Sequence, residues 1–568
     1  MIPALLIIGA YVYIRYSLKA GISRDREKIA TVTNQPDSSG LLDLRPLFIE
    51  RLQQLVAKTS NKVYELSVGD MKMDVLASKL SFQNVSLKPN KARADSLRRL
   101  GMAPAETLAF SFENLQVEGI NIDEAISSKT MDYKLVKLIN PVFEIYRNTS
   151  DKKEVKEDFT QRFLKEMEKL SVKNLQVSGG KIIVHSNGKT TLLKDVTIAM
   201  DDILIDSATR TEKTRFLFAK KARLSFKDYK AAAGKGQYNL TIAKVSVEAP
   251  EQKLILTNLS LSPQLTREAF VRSQKTAKEY YEVSLPSVTL SGVDWWNLMN
   301  EEELVTKEIN IPAGKLSIYL NRSLPPASKM GNFPVQLLMK LPMKINVNRV
   351  KANNLDLAYE EFNPVSEQSG ILHINNINMD IANVSNFKGG DQGPVTIKGK
   401  GMMMGKIPID ADFVFSRKNY QSGIFTARIL TNEAFQGSVL NPFAMPVGMV
   451  KIERGELQKL EASIEGDQRQ ASGNVSILYQ DLKLVLLEKD KEQAKLDRKG
   501  VSSFFANTFI LKKDNPKKGD AVRTAQVEFQ RIEEGGFFML IWKLIMTGAL
   551  KTVGAPTKIA RQTAGGGK

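Results

Sequence analysis

The sequence predicts a mainly β protein built as a long antiparallel sheet, with an N-terminal transmembrane helix and a few peripheral helices. Three observations predict it. From Val63 onward apolar and polar residues alternate with period two in segment after segment, the pattern of a sheet with one apolar and one wet face. The alternating segments close on turn residues. An uncharged apolar run opens the chain. The 568 residues are 42% hydrophobic and 25% charged, an ordinary globular balance. The net charge of +19 favours acidic partners, either nucleic acid or an anionic membrane surface. Cysteine is absent, which excludes disulfides, thiolate nucleophiles, iron–sulfur clusters and cysteine-ligated zinc. Two histidines, His185 and His373, leave little material for a histidine metal site or a hydrolytic triad.

The anchor occupies residues 1–20. Ile2 to Ile14 carries no charge and presents Leu5, Leu6, Ile7, Ile8, Val12 and Ile14. Taken to Leu18, the stretch makes about 26 Å of helix, just under a hydrocarbon core of about 30 Å. Tyr11, Tyr13 and Tyr16 suit an interfacial belt, and Arg15 can snorkel. No small-residue cleavage site follows, so an uncleaved anchor is expected. The basic residues Arg15, Lys19, Arg24, Arg26 and Lys28 all follow the run, which by charge alone leaves the body in the cytoplasm. A start site further upstream, supplying a short basic leader, would reverse that orientation. Residues 21–58 form a polar linker and then an amphipathic helix, Leu41 to Lys58, with Leu44, Leu47, Phe48, Leu52 and Leu55 on one side.

The strands follow. Leu175 and Val177 alternate with polar neighbours, as do Val196, Ile198 and Met200. So do Val245 and Val247, Leu259 and Leu261, Val288 and Leu290, Leu316 and Ile318, Leu355 and Leu357, and Ile377 and Met379. Val475 and Ile477 carry the pattern towards the C-terminus. FENLQVEGINI, VKNLQVSGGKI, LTNLSLSP, LPSVTLSGV and VNRVKANNLDL share an apolar core followed by a turn residue, a loose repeat without fixed period. Helices are expected at Asn90 to Leu100, Glu154 to Leu170 and Gln264 to Tyr281, the second marking an internal boundary. On pattern alone the apolar face closes on itself as a barrel or sandwich. The alternative is a half-open trough, whose lining costs about 25 cal/mol per Å2 in water and therefore needs a ligand such as a lipid chain.

Near the C-terminus, residues 537–550 read FFMLIWKLIMTGAL, too short to span a bilayer comfortably. Phe537, Phe538, Leu540, Ile541, Trp542, Leu544 and Ile545 make a membrane-interface or capping helix. Lys543, Thr547 and Lys551, four apart, form one narrow polar stripe. A helix packed on the final strands is the plainer alternative. The tail from Thr552 is Gly-rich and basic, and is expected to be disordered.

No Walker A loop, nucleophile elbow or His-Glu-x-x-His motif occurs, so the protein is expected to be non-enzymatic, with no catalytic residue, no metal and no cofactor. Glycines of GKGMMMG (399–405) lack dinucleotide-loop spacing and are expected to mark strand bends. The basic residues are spread along the chain without a recognition motif, so no nucleic-acid partner is expected.

The two ends of the chain resemble the AsmA-like family in the form common in Bacteroidota. The resemblance is carried by NKVYELSVGDMKMDVLASKLSFQNVSLKPN (61–90), LRRLGMAPAETLAFSFENLQVEGINI (97–122) and INPVFEIYR (139–147). Towards the C-terminus it continues in LNPFAMPVGMVKIERGELQKLEASIEG (440–466), SGNVSILYQDLKLVLLEKD (472–490), SFFANTFILKKDNPKKGDAVRTAQVEF (503–529) and FFMLIWKLIMTGALKTVG (537–554). It suggests an N-terminal AsmA-like β segment at 59–150, a central β-groove at 151–435 matching only in strand style, and a C-terminal AsmA-like segment at 436–534. The block 535–568 then holds the apolar helix and tail. The resemblance implies an inner-membrane anchor, a body in the periplasm and a sheet bent into an open, taco-like groove. It also implies phospholipid transport towards the outer membrane, as in TamB-like and bridge-like lipid transfer proteins. The groove lining would then be Leu175, Val177, Val196, Ile198, Met200, Val245, Val247, Leu259, Leu261, Leu316, Ile318, Leu355, Leu357, Ile377 and Met379. A scaffold or assembly factor for outer-membrane proteins is the alternative expectation.

Overall fold

A computed structural model describes residues 62–74, 77–90, 106–119, 130–147, 168–186, 189–388, 393–489, 496–498 and 512–554, with a few helical positions between 49 and 57 and between 92 and 96. The anchor (1–20), the linker, most of the helix expected at Glu154 to Leu170 and the tail from 555 lie outside the described residues.

The protein is mainly β, with 60% strand and 15% helix. It divides into two compact units, residues 1–231 with 242–254, and residues 232–241 with 255–568. The first holds β1 (Tyr64–Ser67), β2 (Asp70–Asp74), β3 (Lys79–Pro89), β4 (Glu106–Glu118), β5 (Thr130–Ile139), β6 (Val142–Arg147), β7 (Lys169–Ser186), β8 (Lys189–Ile205) and most of β9 (Lys221–Ala233). Strands β10 (Tyr238–Glu248) and β11 (Lys253–Pro263) carry residues of both units. The second unit continues with α1 (Arg267–Ser273), β12 (Glu279–Ser291), β13 (Glu303–Ile311), β14 (Gly314–Asn321), α2 (Pro334–Met339), β15 (Lys344–Asn363), β16 (Gln368–Ser385), β17 (Val395–Met403), β18 (Ile407–Phe415), β19 (Phe425–Thr431) and β20 (Phe435–Gln436). It ends with α3 (Asn441–Gly448), β21 (Val450–Gly466), β22 (Gln470–Lys489), β23 (Leu496–Arg498), β24 (Thr524–Gln530) and α4 (Phe537–Thr552).

The sheet is mixed, which corrects the purely antiparallel expectation. In the first unit β5 and β6 both pair antiparallel with β4 and parallel with β7. In the second, β13 and β14 both pair antiparallel with β12 and parallel with β15. The same motif therefore occurs in each unit: a long strand, a partner broken in two, and a return strand in parallel. Parallel return needs a crossover connection rather than a tight turn; in the second unit the segment 322–343 supplies it.

Each broken strand is interrupted at a proline, at Asn140-Pro141 and at Pro312-Ala313. Proline has no N–H for the ladder, and the facing strand bulges around it. Opposite Pro141, Gly179 takes φ +66°, and Lys181 N donates to Pro141 O at 2.7 Å. Opposite Pro312, Asn354 takes φ +48° and its amide donates to Pro312 O at 3.4 Å. Asp195 of β8 and Asn376 of β16 carry the left-handed kink to the next strand, each at φ +51°. Glycine, asparagine and aspartate tolerate this conformation, which is why they follow the alternating apolar core in the repeated segments. Gly119 and Gly292 end β4 and β12 alike: a Cβ there would meet the side chain of Lys134 or Lys307 at under 3 Å.

Two expected helices do not reach their expected C-terminal bounds. Of Gln264 to Tyr281 only Arg267–Ser273 is helical, capped by Thr266 Oγ1, which accepts from Ala269 N. Glu279 to Tyr281 already pair with β14, because their alternation serves the strand. Lys169 and Leu170, assigned above to a helix end, open β7.

The core of the second unit is centred on α4. Leu540 and Leu544 are 1% and 0% exposed, against Val475 and Ala462 at 0%. Gly548 lets the helix lie flat: a Cβ there would sit 2.4 Å from Val475 Cβ. Phe537 is ringed by Phe333, Phe415 and Phe425, with centroids 4.9–5.1 Å away. The last carbonyls of the helix are satisfied from the sheet, where Tyr479 Oη donates to Thr552 O at 3.1 Å. Before the helix, Arg531 donates to the carbonyls of Gly535, Gln468 and Lys329 and lies 4.4 Å over the Phe333 ring. That tie brings the loop after β14 against the loop after β24 within this unit.

Candidate functional site

The sheet of the second unit carries one unbroken apolar line. Cross-strand partners run Ile311, Ala352, Met379, Gly399, Ala411, Ile429, Ala462, Val475 and Ala525, from β13 to β24. Beside it, Leu316 of β14 pairs with Leu357, and Leu357 with Ile374. Leu355 pairs with Ile377, and Gly401 opens the space into which Ile374 and Ile377 pack, at 2.9 and 3.3 Å from the position of a Cβ. Ile397 and Phe413 extend the face over β17 and β18.

Exposure changes along this line. Ile429, Ala462, Val475 and Ala525 are buried, at 5%, 0%, 0% and 8%, beneath α4. Leu316, Ile318, Leu355, Leu357, Ile377 and Met379 are only half-buried. Six of the residues singled out by sequence thus fall together on one half-open face. Leu259 and Leu261 are half-buried too, and Leu261 packs against Tyr238, Phe270 and Tyr280. In the first unit Leu175, Val177, Val196, Ile198 and Met200 also share one face, with Leu175 opposite Met200 and Val177 opposite Ile198. Those five are buried, at 2–6% exposure, so they form core. Val245 is buried and Val247 half-buried. Ile374, Ile397 and Phe413 belong to the half-open face and were missed by sequence reading, although IKGKGMM and IPIDADFVF alternate. The bulge between Asn375 and Asn378 breaks the count that would have linked them.

Towards the C-terminal end of β15 the face turns polar. Glu361, 4% exposed, accepts from Arg322 Nη1 at 2.9 Å and from Tyr359 Oη at 2.6 Å. Burial and the neighbouring Glu361 carboxylate push the Tyr359 phenol far up. Tyr359, Phe443 of α3 and Trp542 of α4 follow ring to ring at 6.2 and 5.7 Å. Lys543 is 6% exposed, and its ammonium lies 5.5 Å from the Phe529 ring centre. Burial, helped by Arg322 and opposed by Glu361, lowers its pKa to about 8.

The expected polar stripe of α4 therefore exists but points inward. Lys543 and Thr547 are buried, while Lys551 reaches Gln526 O at 2.9 Å. Phe537, Leu540, Ile541 and Leu544 are buried, Trp542 and Ile545 half-buried, and Phe538 is 69% exposed. The helix packs on β22 and β24, the plainer of the arrangements weighed. The reason is volume: an all-round apolar helix buries more area on a sheet than at an interface.

His185 bridges Glu144 Oε1 (2.7 Å) and Thr190 Oγ1 (3.1 Å) and stacks on Tyr146. His373 is exposed in β16. Among the described residues no three His, Asp or Glu side chains cluster to hold a metal, and no helix is long and apolar enough to cross a membrane. Comparison with known families and with curated proteins finds no match to this chain.

Proposed function

We propose that this protein holds lipid acyl chains on the half-open apolar face of β13 to β18, and that it serves as a membrane-anchored, periplasmic lipid-transfer protein between inner and outer membranes. The supporting observation is the register-matched line from Ile311 to Ala411, apolar in every strand, along and beside which Leu316, Ile318, Leu355, Leu357, Ile377 and Met379 are only half-buried. Such a face in water costs about 25 cal/mol per Å2, and each acyl CH2 laid on it returns about 0.8 kcal/mol. Headgroups stay at the wet strand ends while chains lie across the apolar rungs. No bond to a single residue is needed, so binding tolerates conservative apolar changes. The N-terminal apolar run provides the anchor in this reading.

The test is mass spectrometry of lipids extracted from the full chain after exhaustive removal of detergent. Reproducible phospholipid, more than one molecule per chain, supports the reading. A folded, lipid-free chain that recruits a stoichiometric protein partner favours the outer-membrane assembly factor instead. Any fragment used must keep α4, since ending the chain at Glu534 would remove the centre of the second unit's core.

A further inference from the structure

The end of the second unit where β15 begins carries apolar side chains that its core does not use. Helix α2 and the residue before it bury Val335 and Phe333 in that core, and Leu338 packs on it. The other side of α2 presents Leu337, 49% exposed, and one turn further Leu341, 45% exposed. Met343 is also exposed, so three large apolar side chains face solvent within a few residues. Two more segments are hydrogen-bonded to this one. Asn386 Nδ2 donates to Met343 O at 2.9 Å, and its Oδ1 accepts from Ile345 N at 2.7 Å. Gln336 Nε2 donates to Gln421 O at 2.8 Å, in the loop after β18 that exposes Ile424. Arg417 of that loop donates to Phe387 O at 3.0 Å and joins the second segment to the third. Single exposed apolar residues are ordinary; a group of them on joined loops marks a contact surface.

Charge indicates what the contact is with. Residues 322–344, 386–388 and 416–424 hold seven Lys and Arg and no Asp or Glu. Arg322, Lys329 and Lys344 pair with Glu361, Glu279 and Glu303 from other segments. Lys340, Lys388, Arg417 and Lys418 have no carboxylate partner among the described residues: Lys340 and Arg417 donate to neutral oxygens, and Lys388 and Lys418 are exposed. The adjoining loops 467–469 and 531–536 are nearly balanced, with Asp467, Glu533 and Glu534 against Arg469 and Arg531, so the excess stays positive. A further observation does not depend on charge. Carbonyls of these loops have donors within the protein. Lys340 Nζ donates to Gly331 O at 2.6 Å, Lys340 N to Leu337 O and Leu341 N to Leu338 O, and Gln421 O takes a second donor from Gln468. A loop entering the headgroup region of a bilayer loses water, and backbone that is already paired enters at least cost.

We propose that this strand end is a membrane-docking surface: Leu337, Leu341 and Met343 enter the interface of an anionic bilayer, while Lys340, Lys388 and Lys418 lie at its phosphates. Apolar residues set among lysines are the composition of an interfacial segment, and lysines near such a surface add attraction one by one. The proposal rests on the lipid-transfer reading for its purpose. It sets the end at which β15 and β17 begin and β16 and β18 finish against the membrane that gives or receives lipid.

The chain has no cysteine, so one introduced thiol labels a single place. Leu341→Cys in the full chain carries an environment-sensitive fluorophore, and Val365→Cys is the control. Val365 is also exposed, but it lies beyond the far end of β15, about 60 Å along the strand, beside Glu360, Glu361 and Glu367. Each chain is added to vesicles of phosphatidylcholine, alone or with an equal part of phosphatidylglycerol, that contain a lipid with a quencher at interfacial depth. The label at 341 is expected to be quenched on the anionic vesicles and the label at 365 is not. Lys388→Gln and Lys418→Gln are each expected to lower the ratio of docked to undocked label about fivefold, as one lost charge at an anionic surface implies. If the label at 341 disturbs its turn, Leu337→Cys on the same outer side decides. Quenching at both ends of β15, or at neither in a folded chain, overturns the docking surface. Quenching at 341 that needs no phosphatidylglycerol and survives both lysine variants overturns the anionic bilayer as its occupant. Lipid retained by the same chains after re-isolation reads the lipid-holding proposal separately: retained lipid without docking leaves that reading standing, and docking without retained lipid removes it and keeps the membrane contact.

Discussion

Met379 and Val475 stand on the same cross-strand line of the same unit, yet one is half-exposed and the other fully buried. The difference is cover. Over Val475 the chain lays its own helix, fitted through Gly548 and closed by Phe537 and Leu544. Met379, Leu357 and Ile377 are not packed against that core; α3 lies on the same two strands, with Phe443 against Tyr359. An apolar sheet face needs a partner of some kind; one end has a covalent one, and for the other a lipid is the partner proposed above.

The comparison sharpens first in stability. Leu544→Ala, at a site with 0% exposure, is expected to cost about 2–5 kcal/mol. Leu357→Ala, half-buried on the open lane, is expected to cost about 1 kcal/mol. Denaturant titration of the two variants reads the gap; equal losses would mean that the two regions are covered alike. Lys543 gives the next effect. Its folded pKa of about 8 lies below the ordinary lysine value of 10.5, so the fold disfavours the ammonium. Below pH 8 the folded chain bears the whole cost. From pH 8 to 10.5 it sheds the proton while the unfolded chain keeps it, so stability climbs. Lys543→Met should be more stable than wild type at neutral pH, by at most about 3 kcal/mol, with the advantage vanishing towards pH 10.5. Melting curves at pH 7 and pH 10 check this, and a pH-independent difference would contradict it. A charge on the lane makes the smallest change in stability and the sharpest in function: Leu357→Asp should keep its fold and lose bound lipid. Ile198→Asp, attractive from sequence, cannot serve, because Ile198 is 5% exposed and a carboxylate there attacks the core.

That pair of residues also marks what the sequence could tell. Ile198 and Leu357 sit in the same alternating pattern, and the pattern correctly assigns each to an apolar face. It is silent on what lies above the face, since period two records only sidedness. The mixed topology was hidden for a related reason: a broken strand returning in parallel looks, residue by residue, like two antiparallel strands, and only the prolines at 141 and 312 hinted at it. The bulges were more legible, for the Gly179, Asn354 and Asn376 kinks fall on the turn residues of the repeated segments. The stripe of Lys543, Thr547 and Lys551 was visible as spacing, but its inward direction was not. Amphipathic reasoning places charge in water, and only the packing of α4 against β22 and β24 reverses it. The corner of Arg322, Tyr359 and Glu361 joins residues from two strands that sequence reading treated as unrelated.

The most direct test of the account places a photo-crosslinking side chain at Leu357, on the open lane, and in a second chain at Lys398, exposed in β17 on the opposite side of the sheet from Ile397. Irradiated in membranes, the chain labelled at position 357 is expected to capture lipid and the chain labelled at 398 is not. Equal capture at both positions, or none at 357 in a folded chain, would contradict the claim that lipid covers this face.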